Sequence, residues 1–209
     1  MKLDYNTARK YLLKRDPMLK NVLAAYSPAN KNSTLSNYTR LVQIIVGQQL
    51  SGAAAKTIFT RLTDLIGDNF SPNDLLNIDE EDFFQIGISR AKVNYTQLIS
   101  LHLKSNPNYF LELDTLNSSE KILELTKFKG VGIWTASIFT MSSDLTSDVF
   151  AYGDGTLNRV IQEIYQIDKN KFHKTLETIV SKWEPYKTLV CNAMWNYNDT
   201  VLNQARKRI

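Results

Sequence analysis

Hydrophobic residues recur along most of the chain at the three-to-four-residue spacing that is typical of amphipathic α-helices. A helix is predicted to begin after Ser36, because serine favours the position before a first helical turn. It ends near residue 47, and its apolar face consists of Leu41, Ile44 and Ile45. A second helix is predicted over about residues 51–66, where a glycine ends a stripe made of Ala54, Ile58, Leu62, Leu65 and Ile66.

The same spacing continues to the end of the chain. A helix is predicted over about residues 89–103, with Val93, Leu98 and Leu101 facing inward. Further helical patterns cover about residues 118–126, 134–142, 156–165, 169–182 and 185–197. No segment combines sustained alternation of polar and apolar residues with hairpin turns, which is the pattern of β-strands. The sequence therefore predicts an all-α protein.

Composition narrows the classes of protein more than charge does. The 209 residues are 43% hydrophobic, which predicts a folded chain with a sizeable core. One cysteine and two histidines exclude an intramolecular disulfide, a four-cysteine zinc site and an iron–sulfur cluster. The net charge of +4 permits a polyanionic partner without requiring one. No apolar run reaches 18 residues and the first residues form no signal segment, so we expect a cytoplasmic protein without a membrane partner.

Gly130-Val131-Gly132 separates two of the helical patterns. Glycines one residue apart let the chain reverse tightly and expose backbone amides at the start of the next helix. Those amides and the positive end of the helix dipole form an anion site, and a phosphodiester is the anion that suits a basic all-α protein. An ordinary turn between two helices is the alternative interpretation.

Asp154 lies between two glycines, twenty residues after Trp134, where another helical pattern starts. Aspartate is among the most favoured N-cap residues, so one interpretation is that it accepts the amides of Thr156 or Leu157. The other interpretation is catalytic, since a carboxylate held rigidly in this way stabilises positive charge that develops beside it. The two roles are compatible.

Five blocks of sequence, taken in order, carry a family resemblance. FKGVGIWTAS and VFAYGDGTLNR resemble the helix-hairpin-helix (HhH-GPD) DNA glycosylases, in which a glycine hairpin precedes the catalytic aspartate by about twenty residues. Three further blocks are similar to the alkylated-base branch of that superfamily, the 3-methyladenine DNA glycosylase II enzymes: LVQIIVGQQLSGAAAKTIFTRL, GISRAKVNYTQLI and WEPYKTLVCNAMWNY. The resemblance covers about residues 36–200.

The resemblance implies a fold as well as an activity. The whole chain, residues 1–209, would form one glycosylase domain of two helical lobes with the active-site cleft between them. One lobe of six helices would comprise residues 36–149 and contain the hairpin at 125–142. Residues 1–35 and 150–209 would form the other lobe.

The implied reaction is the removal of alkylated purines from double-stranded DNA, 3-methyladenine first and 7-methylguanine next, by a monomeric base-excision repair enzyme. Members that form a Schiff base and cut the strand carry a lysine where this chain has Trp134, so the resemblance implies hydrolysis without lyase activity. A eukaryotic source would place the protein in the nucleus. Two alternatives stay open: a glycosylase for other damaged bases, and a non-catalytic hairpin module that only binds DNA.

The resemblance also assigns roles to individual residues. Asp154 would be the catalytic residue, and the base pocket would be lined by Trp134, Trp195, Tyr38 and Tyr152. Gln49, with Gln48 beside it, would fill the gap left by the extruded base. The alternative is that both glutamines are polar loop residues that close a turn after Gly47. Phosphate would bind at Gly130, Val131, Gly132 and Thr135. No cofactor is required; a structural Na⁺ or K⁺ would bind the main-chain carbonyls of Thr126, Phe128 and Val131.

Overall fold

The computed structural model of the protein describes residues 4–28 and 35–206, and these residues form helices and turns without any β-strand. The prediction of an all-α chain is confirmed. The first seven α-helices are α1 (Tyr5–Arg15), α2 (Lys20–Ala25), α3 (Asn37–Gly47), α4 (Gly52–Ile66), α5 (Pro72–Leu76), α6 (Glu80–Gln85) and α7 (Arg90–Ser105). The next seven are α8 (Tyr109–Asp114), α9 (Ser118–Leu125), α10 (Ile133–Ser143), α11 (Gly155–Tyr165), α12 (Lys169–Val180), α13 (Lys187–Tyr197) and α14 (Asn203–Arg206).

The chain divides into two compact units. One unit is Asn32–Phe139, and the other combines Met1–Lys31 with Thr140–Ile209. Residues 36–149 contain eight α-helices, α3 to α10, so the predicted count of six is wrong. Helices α5, α6 and α8 have only five or six residues each, which is too short for an apolar stripe to stand out in the sequence.

Serine side chains cap two helix starts in the Asn32–Phe139 unit, and the cap at Ser36 is the one that the sequence predicted. The Ser36 hydroxyl accepts the amide of Thr39 at 3.1 Å, and the Ser51 hydroxyl accepts the amide of Ala54 at 3.2 Å. These bonds replace partners that the first amides of a helix lack. The core of this unit forms around α3, whose buried apolar residues are Leu41, Val42, Ile45 and Val46.

Helix α7 turns a different face to this core than the sequence predicted. Leu98 and Leu101, expected to face inward, are 43% and 53% exposed. The buried positions are instead Val93, Thr96, Ile99, Ser100 and Leu103. Two polar residues occupy this face because their hydroxyls are satisfied inside the unit: Thr96 Oγ1 donates to the Lys92 carbonyl, and Ser100 Oγ lies 2.6 Å from the Tyr38 hydroxyl.

In the unit that combines Met1–Lys31 with Thr140–Ile209, a buried carboxylate connects the N-terminal segment to residues in the C-terminal part of the chain. Asp16 is 2% exposed, and its Oδ2 accepts the indole N–H of Trp183 at 3.0 Å and the hydroxyl of Tyr165. Without this acceptor the buried Trp183 indole N–H and the partly buried Tyr165 hydroxyl would lose their partner, so the carboxylate fixes α1 against the segment that follows α12. None of the described helices is long and apolar enough to cross a lipid bilayer.

The segment that leads to α11 is held against the start of α13. Thr188 Oγ1 accepts the amide of Val149 at 3.2 Å and lies 2.9 Å from Ser147 Oγ. The Asp148 carboxylate accepts the amide of Lys187 at 2.9 Å. These contacts between the two segments fix the backbone a few residues before Asp154.

Candidate functional site

Asp154 is the N-cap of α11. Its Oδ1 accepts the amide of Thr156 at 3.0 Å and the amide of Leu157 at 2.9 Å. The chain approaches this position through a turn in which the Asp154 amide donates to the Ala151 carbonyl at 3.1 Å. Gly153 has φ +84°, in the left-handed region that glycine adopts without strain, and this lets the turn deliver the carboxylate to the helix start.

A third donor reaches the same carboxylate oxygen. The indole N–H of Trp195, on α13, donates to Asp154 Oδ1 at 3.2 Å. Both side chains are only partly buried. Three N–H dipoles directed at one oxygen complement its negative charge and hold the carboxylate in a single orientation. The structure thus combines the capping role with the geometry that an electrostatic catalyst requires.

The two tyrosines predicted for the base pocket, Tyr152 and Tyr38, have different surroundings. Tyr152 is 42% exposed; its ring packs edge-on against Phe150, and its hydroxyl donates to Glu177 at 2.5 Å. Burial and this acidic neighbour raise the pKa of the Tyr152 hydroxyl above its ordinary value.

Tyr38 is a core residue, so its predicted place in the base pocket is wrong. It is 5% exposed, its ring packs edge-on against Phe70, and its hydroxyl lies 2.6 Å from Ser100 Oγ. Burial raises the pKa of this hydroxyl. The sequence could not separate a core tyrosine from a pocket tyrosine, because both occur on an apolar helix face.

The glycine hairpin lies between α9 and α10, as the sequence predicted, and its two glycines differ. Gly130 has φ +87°, and a Cβ built there would lie 2.2 Å from Tyr95 Cδ2, so the ring of this α7 residue covers the turn. A Cβ on Gly132 would meet nothing within 4 Å. Gly130 is therefore required for folding of the turn, whereas Gly132 leaves open, exposed backbone.

Gly132 is also the residue immediately before α10. Its carbonyl accepts the amide of Ala136 at 3.0 Å, and Ile133, the first helical residue, is 66% exposed. The first amides of a helix have no partner within the helix and lie at the positive end of its dipole. An anion that approached Gly132 would find these features beside it.

Trp134 and Thr135 follow in the first turn of α10. Trp134 is partly exposed, and with Gly132 it lies in the Asn32–Phe139 unit. Thr135 is 3% exposed and its Oγ1 accepts the side-chain N–H of Gln48 at 2.9 Å. The Thr135 side chain is therefore part of the hairpin, and the predicted phosphate contact of this residue is left to its main chain. Val131 is buried as well, which leaves it only its main chain for such a contact.

The two glutamines after α3 have separate roles. Gln48 directs its amide nitrogen to the Gly130 carbonyl at 2.8 Å as well as to Thr135, so its side chain is part of the hairpin and the prediction that it helps to fill the DNA gap is wrong. Gln49 is exposed and has φ +58°, which is uncommon for a residue with a side chain. Of the two, Gln49 presents the side chain that a partner can reach.

Sequence reasoning missed Lys92, on α7. Its ammonium donates to the carbonyls of Val46 and Gln48 at 2.8 and 2.9 Å, which places a positive charge at the negative end of α3. Burial lowers the pKa of this ammonium. The only signal in the sequence was its position in the block GISRAKVNYTQLI, and that block does not say which side chain matters.

A surface cavity of about 620 Å³ lies within the Asn32–Phe139 unit, where these elements meet. Its wall contains the side chains or backbone of Gln48, Gln49, Lys92, Tyr95, Lys129 and Gly132, among others. Lys127 is paired with Glu124 at 2.5 Å on the α9 side, whereas Lys129 is exposed at the cavity. The cavity therefore has a basic rim beside the open backbone of Gly132, as suits a phosphate-bearing ligand.

The hairpin backbone also contains carbonyl oxygens, the type of ligand expected for the predicted alkali cation. The Phe128 carbonyl accepts the amide of Val131 at 3.1 Å and retains a second lone pair, and Thr126 precedes it in the same turn. Carbonyl oxygens are hard donors of the type that Na⁺ and K⁺ prefer. Among the described residues, no three His, Cys, Asp or Glu side chains come together as a metal site.

Known proteins resemble this chain over nearly its whole length. The curated alkylbase DNA glycosidase-like protein mag2 of Schizosaccharomyces pombe is 22% identical over 198 residues, which is 92% of this chain and 93% of that protein. The crystal structure of DNA-3-methyladenine glycosidase from Bacillus halodurans has a TM-score of 0.75 and 29% identity, covering 94% of this chain and 91% of that one.

A second solved structure, 3-methyladenine DNA glycosylase of S. pombe (Mag1) in complex with abasic DNA, shares the fold. Its TM-score is 0.81 at 22% identity, with 93% of this chain and 98% of that chain covered. The sequence family described as HhH-GPD superfamily base excision DNA repair protein matches residues 42–185, more than half of the chain. That match includes the α3–α4 turn, the glycine hairpin and Asp154. The chain therefore belongs to the HhH-GPD superfamily of base excision DNA repair proteins.

Proposed function

We propose that this protein is a monofunctional DNA glycosylase that hydrolyses the N-glycosidic bond of alkylated purines, 3-methyladenine before 7-methylguanine, in double-stranded DNA. The observation that carries the proposal is Asp154, whose Oδ1 accepts three N–H donors at the start of α11. Support for the substrate class comes from the relatives, which are named as alkylbase or 3-methyladenine enzymes.

The chemistry assigned to Asp154 follows from the charges of the reaction. Alkylation makes the purine cationic, so the C1′–N bond breaks with its electron pair returning to the base, which leaves as a neutral molecule. Positive charge then develops on the deoxyribose, as in glycoside hydrolysis. The Asp154 carboxylate stabilises that charge and accepts a proton from the water whose oxygen bonds to C1′. The products are the free base and an abasic site.

In this proposal, other residues of the protein prepare the nucleotide for this step. Extrusion of a base costs a few kcal/mol, and less when the base is damaged or mispaired. Gln49 occupies the vacated position in the stack, while the exposed backbone at Gly132 holds a phosphate. The aromatic ring of Trp195, whose indole N–H donates to Asp154, attracts an electron-poor, cationic base, which is worth about 1–2 kcal/mol in a desolvated pocket. A monovalent cation at the hairpin carbonyls would neutralise part of the phosphate charge.

Trp134 supports the monofunctional assignment. An indole cannot form an imine with the sugar, and the lysines nearest in sequence, Lys127 and Lys129, precede the second glycine of the turn. We therefore expect no covalent protein–DNA product when borohydride is added during turnover, and no strand cleavage without added base. A trapped complex would show that a lysine of this chain attacks the sugar.

The proposal is tested by Asp154→Asn, compared with the parent protein on a duplex that contains one alkylated purine. The amide keeps an oxygen for the capping N–H donors but removes the negative charge. We expect single-turnover release of the base to fall at least about a hundredfold, while the affinity for the same duplex stays within about twofold. Excision at the parental rate by Asp154→Asn would refute the catalytic assignment.

The two alternatives give different results in the same assays. A non-catalytic hairpin module binds the duplex but releases no base from any substrate. A glycosylase of another specificity releases oxidised or deaminated bases instead, which a panel of duplexes with single defined lesions resolves. The family match supports a base excision role without choosing the lesion, so the lesion panel decides this point.

A further inference from the structure

Hydrogen bonds from Lys92 hold the turn that carries Gln49 on one side. The ammonium donates to the carbonyl of Val46 at 2.8 Å and to that of Gln48 at 2.9 Å. Both carbonyls belong to the C-terminal end of α3, where backbone acceptors lack partners within the helix. Lys92 therefore satisfies these acceptors and fixes the peptide that joins Gln48 to Gln49.

Hydrogen bonds to the hairpin hold the same turn on the other side. The side-chain amide of Gln48 donates to the Gly130 carbonyl at 2.8 Å and to Thr135 Oγ1 at 2.9 Å. This uses both N–H groups of the amide. Gly130 is itself covered by the Tyr95 ring, one helical turn after Lys92 on α7. Four hydrogen bonds thus connect α3, α7 and the hairpin within one unit.

Gln49 needs such support because of its backbone. The left-handed region is strained for a residue with a Cβ, and Gln49 has φ +58°. An exposed residue does not recover that cost from its own burial, so its neighbours must hold the conformation. The residue immediately before it is held at its carbonyl by Lys92 and at its side chain by the hairpin.

We propose that Lys92 is a positioning residue that, through Gln48, fixes Gln49 relative to the phosphate-binding hairpin. The inference rests on the proposed function, in which Gln49 fills the gap in the stack. Binding of the phosphate at the hairpin then places Gln49 at the stack without further rearrangement of the turn. Catalytic geometry is sensitive to displacements of about 1 Å, so loss of this anchor affects the opening of the stack more than the binding of DNA.

The test replaces Lys92 by methionine, which keeps an unbranched chain and removes the charge and both hydrogen bonds. Lys129→Met is the matched control, because it removes the same charge from the same cavity without touching the turn. Single-turnover excision is measured at saturating protein on two duplexes, one with the alkylated purine paired and one with it in an unpaired bulge. The thermal midpoint of every variant is measured in parallel.

For Lys92→Met we expect excision of the paired lesion to slow about tenfold or more, with less than about a twofold change for the bulged lesion. Lys92→Arg should recover part of the loss. Lys129→Met should change both substrates by the same factor. Equal slowing of both substrates by Lys92→Met would mean that Lys92 has a purely structural role, and an unchanged paired rate would also overturn the proposal.

A second variant keeps the test decisive if Lys92→Met does not fold. Gln48→Ala leaves Lys92 in place and removes only the bonds to the hairpin, and it should produce the same selective loss on the paired lesion. Combined with Gln49→Ala, either variant should add little further slowing, since the anchored side chain is already absent. Additive losses would contradict a role that acts through Gln49.

A fluorescence measurement separates this inference from the proposed function. 2-Aminopurine placed beside the lesion brightens when binding opens the stack, with no need for excision. We expect brightening with the parent protein and little with Lys92→Met at equal occupancy. Brightening without base release would refute the proposed function and leave the positioning role standing. Equal brightening by parent and Lys92→Met, or none with the parent, would overturn the positioning role.

Discussion

Replacing Gly130 by alanine tests whether the hairpin depends on a bare backbone at that position. Two costs add. The left-handed φ of +87° costs a residue with a Cβ about 1–2 kcal/mol. The new methyl would lie 2.2 Å from Tyr95 Cδ2, so the ring must move, and such overpacking costs about 1–3 kcal/mol. We expect Gly130→Ala to lower the free energy of unfolding by about 2–5 kcal/mol.

Thermal and urea denaturation measure this loss, which at about 3 kcal/mol corresponds to a fall in Tm of roughly 6–12 °C. Gly132→Ala is the control, because its Cβ would meet nothing within 4 Å, and its Tm should stay close to that of the parent. In a Tyr95→Ala background, Gly130→Ala should cost only the backbone part, because the ring that the new methyl would meet is absent. Equal stability of the Gly130→Ala and Gly132→Ala variants would refute the reasoning.

Four further outcomes follow from the same contacts. Gly132→Asp should weaken binding to damaged and undamaged duplexes by the same factor, measured by fluorescence anisotropy, because a charge then faces the phosphate. Gln49→Ala should slow excision from paired sites more than from mismatched ones. Trp195→Phe keeps an aromatic ring but removes one donor to Asp154, worth about 1.5 kcal/mol, so single-turnover excision should fall roughly tenfold. Asp16→Ala leaves one buried and one partly buried donor without their acceptor and should lower the free energy of unfolding by about 2–5 kcal/mol in urea titrations.

The parts of the fold that local chemistry determines were predictable from the sequence. Ser36 caps α3 as expected, and α4 begins just after Ser51 and ends at Ile66, close to the predicted bounds. Asp154 caps α11 through the amides of Thr156 and Leu157, both named in advance. Each of these features depends on residues within four positions of one another, which is the range over which sequence patterns are informative.

Features that depend on contacts distant in sequence were not predictable. Leu98 and Leu101 are exposed because α7 turns Thr96 and Ser100 inward, and the Ser100 hydroxyl lies beside that of Tyr38, 62 positions earlier. Gln48 contacts Gly130, 82 positions later, so its side chain is part of the hairpin and not free beside Gln49. A sequence pattern that spans one helix or turn does not indicate contacts between residues so far apart.

Mass spectrometry of the bases that this protein releases from methylated double-stranded DNA decides whether it is an alkylated-purine glycosylase. We expect free 3-methyladenine, followed more slowly by 7-methylguanine, with an abasic site in the DNA for every base released and no release by Asp154→Asn. Release of unmethylated bases alone, or of no base at all, would contradict this assignment.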